Sequence, residues 1–134
     1  MTEEIEEKYK FVYICHPVKG DCKVSYEENI LDIKKTCRNI CIEEKGIIPV
    51  TPYLSFLQYL NDNNKEERAL GLKYDLEFIK MVSLVPDSEL WVYGHKISKN
   101  MEKEIRLSLH LKLPVYTKNE NLFGKLEKII FSLK

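Results

Sequence analysis

Two carboxylates stand at positions where reacting acids are found in enzymes. Glu104 lies in the first turns of a predicted helix, shortly after the turn-like pair Lys99-Asn100. A helix N-terminus stabilises an ionised carboxylate, and a carboxylate nucleophile must be ionised at neutral pH. Asp75 falls beside Leu72 near the buried edge of another predicted helix, an unusual place for an unpaired charge. On pattern alone, the more common interpretation of both residues is a solvated or salt-bridged acid.

Cysteine and histidine side chains offer other chemistry, and their spacing restricts it. Cys15 and His16 end the first predicted strand. Sequential neighbours in a strand point to opposite faces, which argues against a Cys–His nucleophile pair. Cys37 and Cys41 stand four residues apart on the apolar face of a predicted helix, where free cysteines pack as small hydrophobes. No CxxC, histidine pair, GxGxxG or P-loop is present, so we expect no metal and no cofactor.

Four predicted strands alternate with predicted helices along the chain. The strands are predicted at 10–17, 46–54, 88–94 and 113–117, and the helices at 26–45, 65–85, 101–112 and 119–134. The least regular stretch is 51–65, part of which is compatible with a short helix. Alternation with short connections is typical of a parallel sheet covered on both faces. The sequence therefore predicts an α/β fold, a Rossmann-like or flavodoxin-like three-layer sandwich with a mostly parallel central sheet.

Ligands of such sheets bind at the carboxyl ends of the strands, in the loops that lead into helices. The loops of this kind are predicted at 15–25, 51–65 and 94–100. Ser98 can cap the helix that follows it, or it can receive an anion together with neighbouring N–H groups, and capping is the more common role. Tyr53, with Phe56 and Tyr59, is predicted either to stack on a base as part of a lid or to pack in the core or a subunit interface.

The composition is typical of one globular domain that spans residues 1–134. Lys and Arg total 21, as do Asp and Glu, and a formal net charge of zero argues against a partner that is a nucleic acid polymer. No segment has the run of about 20 apolar residues that a membrane span requires. The start, MTEEIEEKYK, is acidic and lacks the apolar centre of a secretory signal. We therefore expect a cytoplasmic protein with reduced cysteines and no membrane association.

Several short motifs, taken in order, resemble those of the nucleoside 2-deoxyribosyltransferase-like superfamily. YICHP at 13–17 resembles the first-strand motif Y-[IL]-A-G-P, and LPV at 113–115 resembles the closing strand G-[IK]-P-V. YDLEFI at 74–79 and DSELWVYG at 87–94 resemble the block D-L-x-x-[IL] followed by [AC]-D-x-[LV]-[WV]-V. ISKNMEKEI at 97–105 resembles the S-x-G-M-x-x-E-I signature of a small uncharacterised branch. The resemblance covers roughly residues 11–116.

This resemblance implies a homodimer or larger homo-oligomer that binds a small-molecule nucleoside or nucleotide. In the active enzymes of the superfamily, the glutamate at the position of Glu104 attacks C1′ and displaces the base, and the sugar then passes to a second base or to water. The resemblance further implies that Asp75 contacts or protonates the base and that Tyr13 orients Glu104. The residues expected to bind the substrate are Cys15, His16, Pro17, Tyr53, Gly94, Ser98, Asn100 and Met101.

The chain departs from the pattern of that superfamily within the expected site. Cys15-His16 stands where the superfamily has Ala-Gly, and Asn100, a residue suited to a left-handed turn, replaces a glycine. The leading hypothesis is an N-glycosidic-bond hydrolase or deoxyribosyltransferase with a glutamate nucleophile. The alternative is a non-catalytic sensor or sequestering protein for a nucleotide or ADP-ribose-type ligand. A purely structural interaction module fits less well, because the acids stand at the expected spacing.

Overall fold

The computed structural model describes residues 8–133, and the elements below are those of this range. They are β1 Lys10–Cys15, α1 Tyr26–Glu43, β2 Ile47–Val50, α2 Pro52–Phe56, α3 Lys65–Ser83, β3 Glu89–Val92, α4 Lys99–His110, β4 Val115–Thr117, a 3-10 turn Glu120–Leu122 and α5 Phe123–Ser132. The start of the chain, which we expect not to be a secretory signal, lies partly outside the described residues. In the range 8–133, no helix combines the length and apolarity needed to cross a membrane.

The four strands form one parallel sheet in the order β2-β1-β3-β4, with helices on its flanks. The predicted fold class, a Rossmann-like or flavodoxin-like α/β sandwich, is therefore confirmed. The chain moves outward from β1 to β2 and then returns to place β3 on the other side of β1. Such a reversal opens a crevice beyond the carboxyl ends of the two central strands. The loops after β1 and β3 border this crevice.

Polar caps set where the long helices begin. Ser25 caps α1 and forms a capping box with Glu28, and Asn64 accepts the N–H groups of Glu66 and Glu67 at the start of α3. Each cap satisfies backbone donors that would otherwise have no partner in the first turn. The first residues of these helices are therefore determined by local hydrogen bonds as well as by tertiary packing.

The start of α4 differs from its prediction. Ser98 is the N-cap, as expected, and its hydroxyl accepts the N–H of Met101 at 3.2 Å. This bond draws Lys99 and Asn100 into the first turn, so the helix begins two residues before the predicted position 101. The left-handed turn expected at Asn100 is therefore wrong, because that residue is helical.

Two proline residues lie in β2 and at the start of α2, the elements that follow α1 in the chain. Pro49 lies within β2, which is an edge strand and so tolerates a residue that cannot donate a ladder hydrogen bond. Pro52 then takes the first position of α2, where its missing N–H costs nothing. The predicted strand 46–54 consequently ends at Val50, and the irregular stretch contains the short helix that its sequence allowed.

Alternate residues of β1 face two different apolar clusters. Tyr13 and Cys15 belong to the larger cluster, with Ile79 of α3 and Ile105 of α4, and all four are fully buried. Val12 and Ile14 belong to a second cluster with Ile40 of α1. Because residues two apart in a strand share a face, Tyr13 and Cys15 both point toward α4. This alternation places two polar-tipped side chains of β1 next to Glu104.

Candidate active site

A cleft of about 290 Å³ lies at the carboxyl ends of β1 and β3. It is bordered by the loop after β1, by α2, by the first half of α3 and by the first turns of α4. Of the residues predicted to take part in catalysis or binding, those that border it are His16, Pro17, Tyr53, Asp75, Ser98, Asn100, Met101 and Glu104. Tyr13, Cys15 and Gly94 do not border the cleft, and each has a different position.

Glu104 lies in the second turn of α4, and its side chain is only 5% exposed. The effect of a helix dipole is concentrated in the first turn, so the early start of α4 leaves Glu104 with less of it than the sequence suggested. The ionised form of Glu104 is stabilised instead by side chains of β1. The Tyr13 hydroxyl donates a hydrogen bond to Oε2, and the Cys15 thiol lies 3.6 Å from Oε1 and donates to it.

The environment of Glu104 sets its pKa close to neutrality. Burial raises the pKa from its ordinary 4.5 to about 7, and the hydrogen bonds from Tyr13 and Cys15 oppose that rise. The pKa of Tyr13 is raised well above its usual range by burial and then by the charge of Glu104, so its hydroxyl keeps its proton and acts as a donor. Glu104 is therefore a buried carboxyl group that changes charge within the physiological pH range.

Asp75 projects from α3 into the same cleft and is 8% exposed. Its Oδ1 atom is buried and has no hydrogen-bond partner among residues 8–133. Burial, followed by the charge of Glu104, raises the pKa of Asp75 to about 8. Asp75 is thus protonated at neutral pH, and it presents an unsatisfied polar atom where a ligand would lie.

Cys15 and His16 diverge, as their sequential positions in the strand predicted. Cys15 is fully buried and points to Glu104, so its expected contact with substrate is replaced by a contact with the acid. His16 borders the cleft, and its Nε2 lies 2.6 Å from Asp32 Oδ2 while Nδ1 lies 2.6 Å from the carbonyl oxygen of Pro17. The two side chains therefore have separate hydrogen-bond partners, Glu104 for Cys15 and Asp32 for His16.

Gly94 was expected to bind the substrate, but it lies against Pro17 in the loop after β1. Its φ of +94° lies in the left-handed region, and a Cβ added there would come within 2.3 Å of Pro17 Cδ. Its carbonyl oxygen accepts a hydrogen bond of 2.9 Å from Asn119. Glycine is therefore required for the close contact between the loops after β1 and β3.

An apolar wall closes one side of the cleft. Tyr53 borders it but is buried, and its hydroxyl donates to the carbonyl oxygen of Ile14 at 2.6 Å. Phe56 also borders the cleft and makes ring contacts with Tyr59 and with Tyr74 and Phe78 of α3. The anchored hydroxyl makes Tyr53 a fixed part of the wall, which favours core packing over a mobile lid.

Four cationic side chains of the described residues border the cleft, and none of them was among the predicted site residues. They are Lys19, Arg68, Lys96 and Lys99. Lys96 is held by Asp21, which also binds His95 at 2.8 Å. Hydrogen bonds from Lys96, from the Val24 N–H and from His95 hold the pKa of Asp21 well below its usual range.

A sequence signal for Arg68 did exist. Positions 68, 71, 72 and 75 lie on one face of α3, so the helical spacing that exposes Asp75 to the cleft also brings Arg68 there. Lys96 and Lys99 both lie in the third predicted ligand loop, 94–100. Lys19 and Asp21 lie in the first loop, where no spacing rule identifies which side chains turn inward.

Groups of three or more histidine, cysteine, aspartate or glutamate side chains arranged to hold a metal ion are absent from the described part of the chain. The four cysteines are free thiols. No curated protein and no solved structure is detectably similar to the chain. Residues 10–118, which include β1 through β4 and every residue of the site, match the family described as a domain of unknown function, DUF7768. The chain therefore belongs to the DUF7768 family.

Proposed function

We propose that the protein is a nucleoside or nucleotide N-glycosidic-bond hydrolase or deoxyribosyltransferase in which Glu104 is the nucleophile. The observation that carries the proposal is the presence of two buried carboxyl groups of different protonation at one cleft. Burial raises the pKa of Glu104 to about 7 and that of Asp75 to about 8, and the charge of Glu104 adds to the rise at Asp75, so Glu104 is the group that ionises first. Cleavage of a glycosidic bond with a covalent intermediate needs one carboxylate and one carboxylic acid.

The two groups would divide the first step between them. Glu104 would attack C1′ and form an ester bond while the C1′–N bond breaks, and the electron pair of that bond leaves with the base. Asp75 would give its proton to the departing base. In the second step, water or a second base would attack C1′, and Asp75 would recover the proton. Glu104 would then be released as a carboxylate, so atoms and charges balance over the cycle.

The remaining surface of the cleft supports a ligand with an apolar ring and an anionic group. Tyr53, Phe56 and Leu72 offer apolar surface next to Asp75. Lys19, Arg68 and Lys99 offer positive charge along a rim that also carries Asp62 and Glu67, and Lys96 is paired with Asp21. A planar base against the wall and a 5′-phosphate near these cations would match both features, so nucleotides are tested beside nucleosides.

The second candidate function is non-catalytic binding of a nucleotide or ADP-ribose-type ligand. The four cationic side chains favour it, because they would hold phosphate groups whether or not a bond is broken. Glu104 separates the two candidates. An enzyme would lose base release on Glu104→Gln, whereas a binder would keep most of its affinity, since the amide preserves the shape of the side chain and one hydrogen-bond acceptor.

The test is chromatographic. Wild type, Glu104→Gln and the surface control Glu127→Gln would be incubated with ribo- and deoxyribonucleosides and their 5′-monophosphates, with and without an acceptor base. We expect wild type and the control to release or exchange the base and Glu104→Gln to lose at least about 1,000-fold in rate. Mass spectrometry of acid-quenched wild type should detect a sugar ester that is absent from Glu104→Gln.

A negative result would also be informative. Suppose that none of the three proteins released a base from any substrate, while nucleotides raised the melting temperature of wild type and Glu104→Gln alike. The role of Glu104 as nucleophile would then be rejected, and ligand binding would become the leading function. If Glu104→Gln kept the activity of wild type, another residue would have to form the covalent bond.

The homo-oligomer and the cytoplasmic location stay predictions. Tyr59, Tyr74 and Phe78 are exposed aromatic side chains near the cleft, and exposed aromatic surface of this kind is enriched in subunit interfaces. Light scattering on the purified protein measures the oligomeric state. Fluorescence microscopy of a tagged full chain tests the location.

A further inference from the structure

Cys15 makes a contact that packing alone does not require. Its side chain is fully buried on β1, and its thiol lies 3.6 Å from Glu104 Oε1 and 3.9 Å from the carbonyl oxygen of Met101. Sulfur is large, so both distances are compatible with a weak S–H hydrogen bond. The carboxylate is the nearer acceptor, and hydrogen bonds to an ionised group are the stronger ones.

The thiol is a donor in this environment and not a nucleophile. Burial, and then the charge of Glu104, raises the pKa of Cys15 well above its usual range. A cysteine nucleophile must be a thiolate, which this environment disfavours. What remains is the S–H group, a donor within hydrogen-bond reach of Oε1 of Glu104 on α4.

The two donors on Glu104 differ in strength. The Tyr13 hydroxyl binds Oε2, and a phenolic O–H is a much stronger donor than a thiol. A strong donor withdraws negative charge from the oxygen that it binds, whereas a weak donor leaves that oxygen more nucleophilic. In addition, the terminal torsion of a glutamate side chain is broad, so a donor on each oxygen is needed to hold the carboxylate plane in one orientation.

We propose that Cys15 is a positioning residue that fixes the carboxylate of Glu104 so that Oε1, to which the thiol is the one donor among residues 8–133, is the oxygen that attacks the substrate. This inference rests on the proposed function. The contact itself, however, has a readout that does not depend on activity. The simpler interpretation, that Cys15 is a small buried hydrophobe, predicts a different result in the following test.

The test is infrared spectroscopy of the S–H stretching band, in a spectral region where other protein groups do not absorb. The band of Cys15 is the one lost in Cys15→Ala. When Glu104 ionises between about pH 6 and about pH 8, the acceptor becomes charged and the band should move to lower wavenumber. In Glu104→Gln the band should stay in place over the same range. Cys37→Ala, which removes a half-buried thiol of α1, is the matched control and should leave the shift unchanged.

Base release by the same variants tests the consequence for catalysis. We expect Cys15→Ala to lower kcat by roughly 3- to 10-fold with little change in KM, because one weak hydrogen bond to the nucleophile is lost. Cys37→Ala should keep the kcat of wild type. If Cys15→Ala does not fold, a band that shifts with pH in wild type and not in Glu104→Gln is still assigned to Cys15, because its thiol is the one within hydrogen-bond reach of Glu104 among the described residues.

The outcomes separate this inference from the proposed function. A band that does not move while Glu104 ionises, or a Cys15→Ala variant with the full kcat of wild type, would overturn the positioning role. A band that moves in wild type but not in Glu104→Gln supports the contact. If that shift occurs and wild type releases no base from any substrate, the contact stands, but the proposed function and the role of Oε1 as attacking oxygen are both refuted.

Discussion

Glu104→Gln removes a charge that folding takes out of water, so we expect the variant to be more stable than wild type above neutral pH. Glu104 is 5% exposed, and its pKa rises from 4.5 to about 7 on folding. A raised pKa means that the folded state binds the proton more tightly than the unfolded state. The contribution of Glu104 to the free energy of unfolding is therefore complete at pH values below about 4.5 and is lost as the pH rises to about 7.

The magnitude follows from the size of that rise. Each pH unit corresponds to about 1.4 kcal/mol, so the stability lost across the full range is about 3 kcal/mol. The hydrogen bonds from Tyr13 and Cys15 are already included, because they act on the pKa of the folded state. The near-complete burial of Glu104 means that solvent screening reduces this figure little. A penalty of this size is a substantial fraction of the stability of a typical domain.

Urea unfolding at a series of pH values from about 4 to about 8.5 measures the effect. The difference in free energy of unfolding between Glu104→Gln and wild type should grow by about 3 kcal/mol over this range, in favour of the variant. Glu127→Gln, which alters an exposed acid of α5, is the control and should follow wild type throughout. The contributions of most other titrating groups cancel between the three proteins. Asp75 is the exception, because Glu104→Gln removes the charge that helps to raise its pKa.

Only the pH dependence of the difference tests the reasoning. A constant offset would reflect the imperfect replacement of a carboxylate by an amide, which accepts the bond from Tyr13 but offers no acceptor to Cys15. If the curves of Glu104→Gln and wild type ran parallel from acid to alkaline pH, Glu104 would not be desolvated in the folded protein. The assignment of a neutral-range pKa, and the division of roles with Asp75, would then be refuted.

Four further predictions concern the site and its loops. The rate of base release should depend on pH as a narrow bell. Its acid limb rises as Glu104 ionises near pH 7, and its alkaline limb falls as Asp75 loses its proton near pH 8. A pH profile of kcat/KM measures both limbs. Asp75→Asn should lower the rate by at least about 100-fold and remove the alkaline limb, and a retained limb would show that another group supplies the proton. Tyr13→Phe should move the acid limb to higher pH, because a hydrogen bond that lowers the pKa of Glu104 is lost; an unmoved limb would contradict the contact. Asp21→Asn should lower the melting temperature at neutral pH. The difference in melting temperature from wild type should shrink below about pH 4, because the pKa of Asp21 is lowered in the folded state and its stabilisation is lost on acidification. A gap that is independent of pH would exclude the ion pairs of Asp21 as its cause.

The fold was predictable because its signals are local. Each strand is a short, mostly apolar run, and α1, α3 and α4 each begin at a polar cap. Errors arose where a single residue decides the boundary of an element. The Ser98 cap moved the start of α4 from 101 to Lys99, and Pro52 ended the second strand early by starting α2. Propensity alone does not resolve boundaries that depend on a single side chain.

The site was predictable only in part. Glu104 and Asp75 were identified by their motifs, and the structure brings both to one cleft. The cations of the rim were missed. Lys19 borders the same cleft as Lys96 and Lys99 only because the loops after β1 and β3 meet, whereas Arg68 could have been found from its helical spacing to Asp75. Gly94 was assigned to the ligand, whereas a close contact with Pro17 explains it. A motif indicates that a glycine is needed, but the reason for it depends on the packing of two loops.

The burial of Glu104 shows why a helix position by itself does not define a reacting carboxylate. The sequence suggested that the dipole of α4 would keep Glu104 ionised, but the helix starts early and Glu104 lies in its second turn, where that effect has declined. The donors that lower its pKa come from Tyr13 and Cys15, two residues apart on β1 and therefore on one face of the strand. Without them, burial would drive the pKa still higher and leave little carboxylate at neutral pH. The ionised fraction of the proposed nucleophile thus depends on the alternation of β1 at least as much as on the helix that carries Glu104.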